Sequence, residues 1–169
     1  MNVRLEPVLR EQEPVLQNLM QFYIHDFSEF WAGTPKGDLL ADGRFEAYPL
    51  ASYWTEPERD AFFIWRGDVL AGFVLVNAYS HSGRPIDHSV AEFFVLRKHR
   101  GSGVAVQAAH LIFATRSGVW EVAVARKNVA ATKFWRKAVA ATPGATEITE
   151  IDVTTAEWNG PVILFRLAG

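Results

Sequence analysis

Near the start of the chain, the order of apolar and polar residues first has the period of a strand and then that of a helix. Residues 3–8 alternate with the two-residue period of a strand. A helical spacing begins near Pro14, since proline suits the first turn of a helix. The predicted inward face of this helix consists of Val15, Leu16, Leu19, Met20 and Tyr23. Residues 33–48, with one proline and three glycines, predict a long loop of the kind that is often functional.

Further along, β-branched and aromatic residues predict several strands. Residues 61–65 and 69–78 flank Arg66-Gly67-Asp68, a turn that predicts an antiparallel hairpin. Strands are also predicted over 90–96 and 120–125.

Two helices are predicted in the second half of the chain. One covers about 102–116, with an inward face of Val104, Ala108, Leu111 and Ile112. The other opens at Asn128 and runs to about residue 140, with an apolar stripe of Ala131, Phe134, Trp135 and Ala138. Pro143-Gly144 ends this helix, and a turn at Asn159-Gly160-Pro161 predicts a closing pair of strands over 148–153 and 162–167.

Composition narrows the class of protein. A length of 169 residues with 49% apolar residues predicts one compact domain. The net charge of -2, with both signs mixed along the chain, disfavours a nucleic-acid partner. The lack of cysteine excludes disulfides, thiolate metal sites and a cysteinyl intermediate. We see no metal-ligand spacing among the histidines and acids, and no signal peptide or membrane span, so we expect a cytoplasmic protein.

A glycine-containing turn at residues 98–103 predicts an anion site. It lies between a predicted strand and a predicted helix, where unpaired N–H groups and the helix dipole favour negative charge. Gly101 and Gly103 let a phosphate approach the backbone, and Lys98 and Arg100 supply positive charge.

The segment Arg100-Gly101-Ser102-Gly103-Val104-Ala105 resembles the Arg/Gln-x-x-Gly-x-Gly/Ala motif of the GNAT superfamily of acetyltransferases. The resemblance implies an α/β GNAT fold over residues 1–169: a single domain with a mixed, twisted sheet of six to seven strands flanked by helices. It also implies an N-acetyltransferase that uses acetyl-coenzyme A and needs no metal. The cofactor-binding residues that it implies are Phe94, Val95, Leu96, Arg100, Gly101, Ser102, Gly103, Val104, Ala105, Asn128, Ala131, Phe134 and Trp135.

Glu92 is the candidate base, because an amine must lose a proton before it attacks a thioester. His88 is the runner-up base, and Glu92 could instead simply pair with a cation. The resemblance places the backbone N–H of Val95 at the developing oxyanion. Many family members have a tyrosine acid where this chain has Trp135, which is no proton donor, so we consider Tyr53 as a substitute acid or a packing aromatic.

We therefore expect direct transfer of an acetyl group to a primary amine, with a small molecule as acceptor. His25, Asp26 and Glu29 are candidates for binding a cationic amine, or simply groups that end a helix. Two alternatives remain open: a non-catalytic acyl-coenzyme A sensor and a protein-modifying acetyltransferase. The oligomeric state is open as well, with a homodimer as one option.

Overall fold

Residues 2–169 are described by a computed structural model, in which they form seven strands and three α-helices. In chain order these are β1 (Val3–Pro7), α1 (Glu13–Ser28), β2 (Asp60–Arg66), β3 (Val69–Asn77), β4 (His88–Val95), α2 (Val104–Phe113), β5 (Gly118–Ala123), α3 (Val129–Ala140), β6 (Ala145–Thr154) and β7 (Asn159–Leu167). Short 3-10 helices at Glu29–Trp31 and Ala51–Trp54 flank the long loop that follows α1.

The strands form one mixed sheet in the order β1-β2-β3-β4-β5-β7-β6. Pairing is antiparallel except between β4 and β5, which α2 connects as a crossover. The predicted α/β architecture with a mixed sheet of six to seven strands is confirmed.

Apolar side chains cover both faces of the sheet. On one face α2 and α3 pack on a core cluster that includes Trp120, Trp135 and Phe165. On the other face α1 buries Leu16, Leu19 and Met20 against β2, β3 and β4. Each face has a helix layer because the strands at the centre of the sheet are apolar on both sides.

The predicted inward faces of α1 and α2 are each wrong at one position. Val15 is 43% exposed and Leu111 is 39% exposed. In α2 the buried positions are instead Val104, Ala108, Ala109, Ile112 and Phe113. Apolar residues are so dense in α2 that periodicity alone did not fix its rotation about its axis.

The predicted closing turn at Asn159-Gly160-Pro161 is also wrong, because β7 already begins at Asn159. The turn lies at residues 155–158, where the Trp158 N–H donates to Thr155 Oγ1 and the Thr155 N–H donates to the Trp158 carbonyl. A Cβ at Gly160 would overlap the Val124 carbonyl oxygen. Glycine marks a close approach between two backbones here.

No helix within residues 2–169 combines the length and the apolar character needed to cross a membrane.

Candidate active site

The two central parallel strands of the sheet part from each other after a short contact. β4 and β5 pair only at His88 with Trp120 and at Ser89 with Glu121. Immediately beyond, Ala91 is an extra residue in β4, since Val90 pairs with Val76 while Glu92 pairs with Leu75. Such a bulge bends a strand and re-aims its side chains. The result is a gap in the middle of the sheet between the second half of β4 and β5.

One edge of this gap presents backbone hydrogen-bonding groups of β4. The Leu96 N–H donates to the Ala71 carbonyl on the β3 side, at 2.8 Å. Because neighbouring residues of a strand point their backbone groups to opposite sides, the Val95 N–H faces the gap. This N–H is the donor that the family resemblance predicts at the oxyanion.

The predicted anion turn lies at the mouth of the gap, at the N-terminus of α2. Gly101 and Gly103 both have positive φ, of 73° and 85°, and space is open around Gly101. Gly103 caps α2, and no side chain caps it within the described residues. The N–H groups of the first turn of α2 are therefore oriented to meet an anion.

The Arg100 side chain is engaged by the protein itself. Its Nε donates to the Val95 carbonyl at 2.8 Å, and a terminal nitrogen donates to Asp26 at 2.6 Å. Arg97 binds the other oxygen of Asp26 at 2.7 Å, and these hydrogen bonds lower the pKa of Asp26 against the raising effect of burial. Asp26 thus ties α1 to the anion turn, and its predicted use as a ligand for a cationic amine is not supported.

The Glu92 carboxyl lies on the face of the sheet that α1 covers, beside the gap. It accepts a hydrogen bond of 3.2 Å from the Tyr48 hydroxyl, and the Tyr23 hydroxyl also favours its ionised form. Burial raises the pKa of Glu92, although both tyrosine hydroxyls and the nearby charges of His81 and Lys36 act in the opposite direction. No cation forms an ion pair with it among residues 2–169.

Tyr48 reaches Glu92 because two glutamines of α1 hold its segment in place. The Gln17 side-chain amide donates to the Tyr48 carbonyl at 2.8 Å. Gln21 both donates to the Phe45 carbonyl and accepts from the Phe45 N–H. The long loop therefore forms a fixed wall beside the carboxyl.

Tyr53 packs in the apolar cluster between α1 and the sheet. Its buried hydroxyl has no hydrogen-bond partner among the described residues. Burial raises its pKa, and the Arg59 guanidinium over its ring acts in the opposite direction.

The last helix begins as predicted, because Asn128 caps α3 by accepting a hydrogen bond from the Ala131 N–H at 3.2 Å. Trp135 is only 7% exposed and packs edge-on against Phe93, with ring centroids 4.9 Å apart. Phe134 is half-buried beside both rings. Trp135 therefore lies in the core behind the gap.

His88, the runner-up base, lies on the opposite face of the sheet from Glu92. Its ring packs on Trp120, at 5.0 Å between centroids, and its Nε2 is 2.8 Å from the Ser117 carbonyl. This position does not support its use as the base.

Sequence reasoning missed four polar residues in or around this site, among them the buried Glu121 of β5, which pairs with Ser89 where β4 and β5 part. Tyr23 was predicted only as core, and Tyr48, His81 and Glu121 were not considered. Tyr48 and His81 lie in loops without periodicity, and Glu121 lies inside a buried strand. A buried acid in an apolar strand is a usable signal, because such a charge needs dedicated partners.

The comparisons with known proteins agree on family and fold. The model of the acetyltransferase (GNAT) family matches residues 16–139, which is well over half of the chain. No curated protein matches the sequence.

Three solved structures illustrate the shared fold. An acetyltransferase from Thermus thermophilus is 16% identical with a TM-score of 0.63, over 98% of this chain and 96% of the other. The aminoglycoside acetyltransferase AAC(6')-Ib, in complex with coenzyme A and kanamycin, is 12% identical with a TM-score of 0.66, over 98% and 95%. A spermidine N-acetyltransferase chimera from Vibrio cholerae SpeG and hSSAT is 13% identical with a TM-score of 0.53, over 99% and 96%.

Proposed function

The chain belongs to the acetyltransferase (GNAT) family, and on this premise we propose that it transfers an acetyl group from acetyl-coenzyme A directly to a primary amine of a small molecule. The observation that carries the proposal is the position of Glu92, a half-buried carboxyl beside the gap between β4 and β5. The sequence has no cysteine to carry the acetyl group as a thioester, so transfer is direct.

The turn at residues 98–103 and the gap between β4 and β5 suit two different parts of coenzyme A. The open backbone at Gly101 and the uncapped N–H groups at the start of α2 suit a pyrophosphate. The free edge of β4 suits an extended chain that pairs with the backbone. In this assignment the binding groups are residues 94–96 along the edge and 100–105 at the turn, while Asn128, Ala131, Phe134 and Trp135 form the wall behind them.

Glu92 acts as the general base. A free alkylamine has a pKa near ~10.4, so it is mainly protonated at neutral pH and must lose a proton before it attacks. A carboxyl whose pKa burial has raised is better matched to this task than an exposed one. Acetyl-coenzyme A supplies the activated acetyl group, and the Val95 N–H donates to the carbonyl oxygen as negative charge develops there.

The departing thiolate is weakly basic, so it needs a hydrogen-bond donor more than a strong acid. The Tyr53 hydroxyl is our candidate, because it is buried in the same cluster and has no partner among the described residues. Its raised pKa keeps it protonated at neutral pH.

Two of the similar structures support a small-molecule acceptor, since one is described as a spermidine N-acetyltransferase and another holds kanamycin.

A steady-state assay tests the proposal. Thiol release from acetyl-coenzyme A is measured with a panel of polyamines, aminoglycosides and simple primary amines. We expect turnover with at least one amine, and we expect Glu92→Gln to lower kcat about 100-fold while the KM for acetyl-coenzyme A stays close to its original value. Glu6→Gln, on the edge strand β1, is the matched control and should behave as the original protein.

Two outcomes would contradict the proposal. Tight acetyl-coenzyme A binding without thiol release for any amine would favour a sensor, in line with the buried Trp135. Release only with a lysine-containing peptide would favour a protein-modifying enzyme.

A further inference from the structure

The Asp26 carboxylate connects helix α1 with the anion turn through two arginines. One of its oxygens accepts hydrogen bonds of 3.1 and 2.7 Å from Arg97, and the other accepts one of 2.6 Å from Arg100. An acid in the last turn of a helix is unfavourable, because it lies at the negative end of the helix dipole. The two arginines, rather than the helix, therefore stabilise a carboxylate at this position.

Arg100 in turn connects Asp26 with the free edge of β4, because its Nε donates to the Val95 carbonyl at 2.8 Å. This carbonyl faces the gap, since the Leu96 N–H of the same trans peptide unit points the opposite way and donates to Ala71 on β3. Val95 is also the residue whose N–H faces the gap. Arg100 therefore holds β4 at the residue that the proposed mechanism uses as the oxyanion donor.

Ring packing brings the same elements together. The Arg100 guanidinium lies over the Phe94 ring, 5.7 Å from its centroid, and the Tyr23 ring packs edge-on against the same ring, with centroids 5.8 Å apart. Tyr23 lies three residues before Asp26, so both side chains project from one face of α1. Helix α1 thus meets the end of β4 at two neighbouring points, one aromatic and one charged.

The guanidinium of Arg100 is engaged by two groups of the protein. Its Nε and one terminal nitrogen donate to Val95 and Asp26, and the Asp26 carboxylate would compete with a phosphate for the same group. The backbone beside it is open instead, since Gly101 and Gly103 have positive φ and no side chain caps α2 among the described residues. The group that holds the turn is therefore different from the groups that are open to an anion.

We propose that Asp26 and Arg100 form a clamp that positions the anion turn and the end of β4 for acetyl-coenzyme A, and that Arg100 acts through this clamp rather than by contact with the pyrophosphate. The inference rests on the proposed function, since it concerns the same cofactor. The clamp keeps Val95, at the acetyl end of the site, in register with the turn at the pyrophosphate end. Asp26 and Arg100 are thus positioning residues.

The substitution Asp26→Asn distinguishes the two roles of Arg100 by the sign of its effect. Direct contact of Arg100 with the pyrophosphate predicts a higher affinity for acetyl-coenzyme A, because a competing carboxylate is lost. The clamp predicts an affinity about tenfold lower in a calorimetric titration, because the turn and β4 lose charged hydrogen bonds that hold them together. An unchanged or higher affinity would overturn the proposal.

The matched control is Asp60→Asn. Asp60 also accepts two hydrogen bonds from one arginine, Arg116, at 2.8 and 3.1 Å, and its side chain is 25% exposed against 21% for Asp26. Arg116 follows the C-terminal end of α2, whereas the anion turn lies at its N-terminal end. We expect Asp60→Asn to bind acetyl-coenzyme A as the original protein does. Equal losses in the two variants would show a general effect of a lost ion pair and would refute the clamp.

A second variant, Arg100→Lys, keeps the positive charge but loses the planar fork that reaches Val95 and Asp26 together. We expect it to lower affinity about as much as Asp26→Asn, and the double variant to lose little more, because both changes break one clamp. In the free protein, the amide NMR signals of Gly101 and Gly103 should move in both variants but not in Asp60→Asn. Full affinity in Arg100→Lys, or unmoved glycine signals, would contradict the clamp.

Steady-state kinetics with the best amine of the panel give a further readout. We expect Asp26→Asn to raise the KM for acetyl-coenzyme A by a larger factor than it lowers kcat, since it acts on cofactor binding. A lower kcat with an unchanged KM would count against the clamp. If the original protein itself bound no acetyl-coenzyme A, the proposed function would fail and this inference with it, whereas normal binding in the original and in both variants would refute the clamp alone.

Discussion

Glu92 and Glu121 are two glutamates on one face of the sheet, and their environments push their pKa values in opposite directions. Among the described residues, the Tyr48 hydroxyl is the only group that donates a hydrogen bond to Glu92, and burial dominates and raises its pKa. Burial would also raise the pKa of Glu121, but the His81 side chain, two serine hydroxyls and two backbone N–H groups around it outweigh that effect and lower the pKa to about 2. This contrast supports the proposed use of Glu92 as the base and leaves Glu121 with a fixed negative charge.

The Tyr48 hydroxyl sets part of the Glu92 pKa, and its removal gives a prediction of definite sign. Tyr48→Phe deletes a donor that favours the carboxylate, so the pKa of Glu92 should rise further. In the proposed mechanism, Glu92 accepts a proton only when its carboxyl is ionised. The acidic limb of kcat/KM against pH should therefore move to higher pH.

The measurement is the full pH profile of both proteins with the same amine. A limb that stays in place or moves to lower pH would show that Tyr48 does not act on the base. An unchanged KM for acetyl-coenzyme A serves as the internal control.

At the scale of elements, the glycines at the N-terminus of α2 leave its backbone open to a ligand. Gly103→Leu places a side chain where the proposed pyrophosphate meets the backbone, and it also strains a residue with a φ of 85°. We expect acetyl-coenzyme A affinity, measured by calorimetry, to fall more than about tenfold, since one lost charged hydrogen bond alone costs roughly that much.

The matched control is Gly67→Leu, in the turn between β2 and β3. Gly67 also has a positive φ, of 59°, and open space around it, so it reports the backbone strain alone. Equal loss of affinity in both variants would refute the assignment of the turn.

The elements themselves could be predicted from the sequence because their signals are local. Strand periodicity found β1 to β5, and Asn128 correctly marked the start of α3. The bulge at Ala91 left no such signal, because a single extra residue changes neither composition nor apolar character. It is this residue that brings the Glu92 side chain to the gap.

The polar part of the site depends on contacts between distant parts of the chain. Tyr48 and Glu92 are 44 residues apart, and Glu121 meets the Ser80–Ser82 loop across 39 to 41 residues. A single sequence carries no trace of such pairs. Glu92 could be predicted only because the family resemblance fixed where the cofactor lies on β4.

At the scale of the whole molecule, Glu121 contributes stability that depends on pH. Its pKa is about 2 in the folded protein, against 4.5 for an ordinary glutamate, which corresponds to about 3 kcal/mol. This contribution is complete above pH 4.5 and is lost as the pH falls toward 2.

Urea titrations between pH 7 and pH 2 measure the free energy of unfolding. We expect Glu121→Gln to be less stable than the original protein at pH 7 and to lose less stability on acidification. A parallel pH dependence in the two proteins would show that other carboxyls cause the acid sensitivity.

The two halves of the sheet share one core, since the cluster under α2 and α3 includes residues of β3, β4, β5 and β7. We therefore expect residues 1–169 to act as one domain.

The parting of β4 and β5 has a consequence for hydrogen exchange. Central strands of a sheet are usually the slowest part of a domain to exchange their amide protons. Within residues 2–169 only two residue pairs connect β4 with β5 as paired strands, so the amides of Phe93 and Val95 lie toward the gap as they would on an edge strand. They should exchange rapidly in the free protein, and the proposed binding of coenzyme A in the gap predicts that adding coenzyme A protects them.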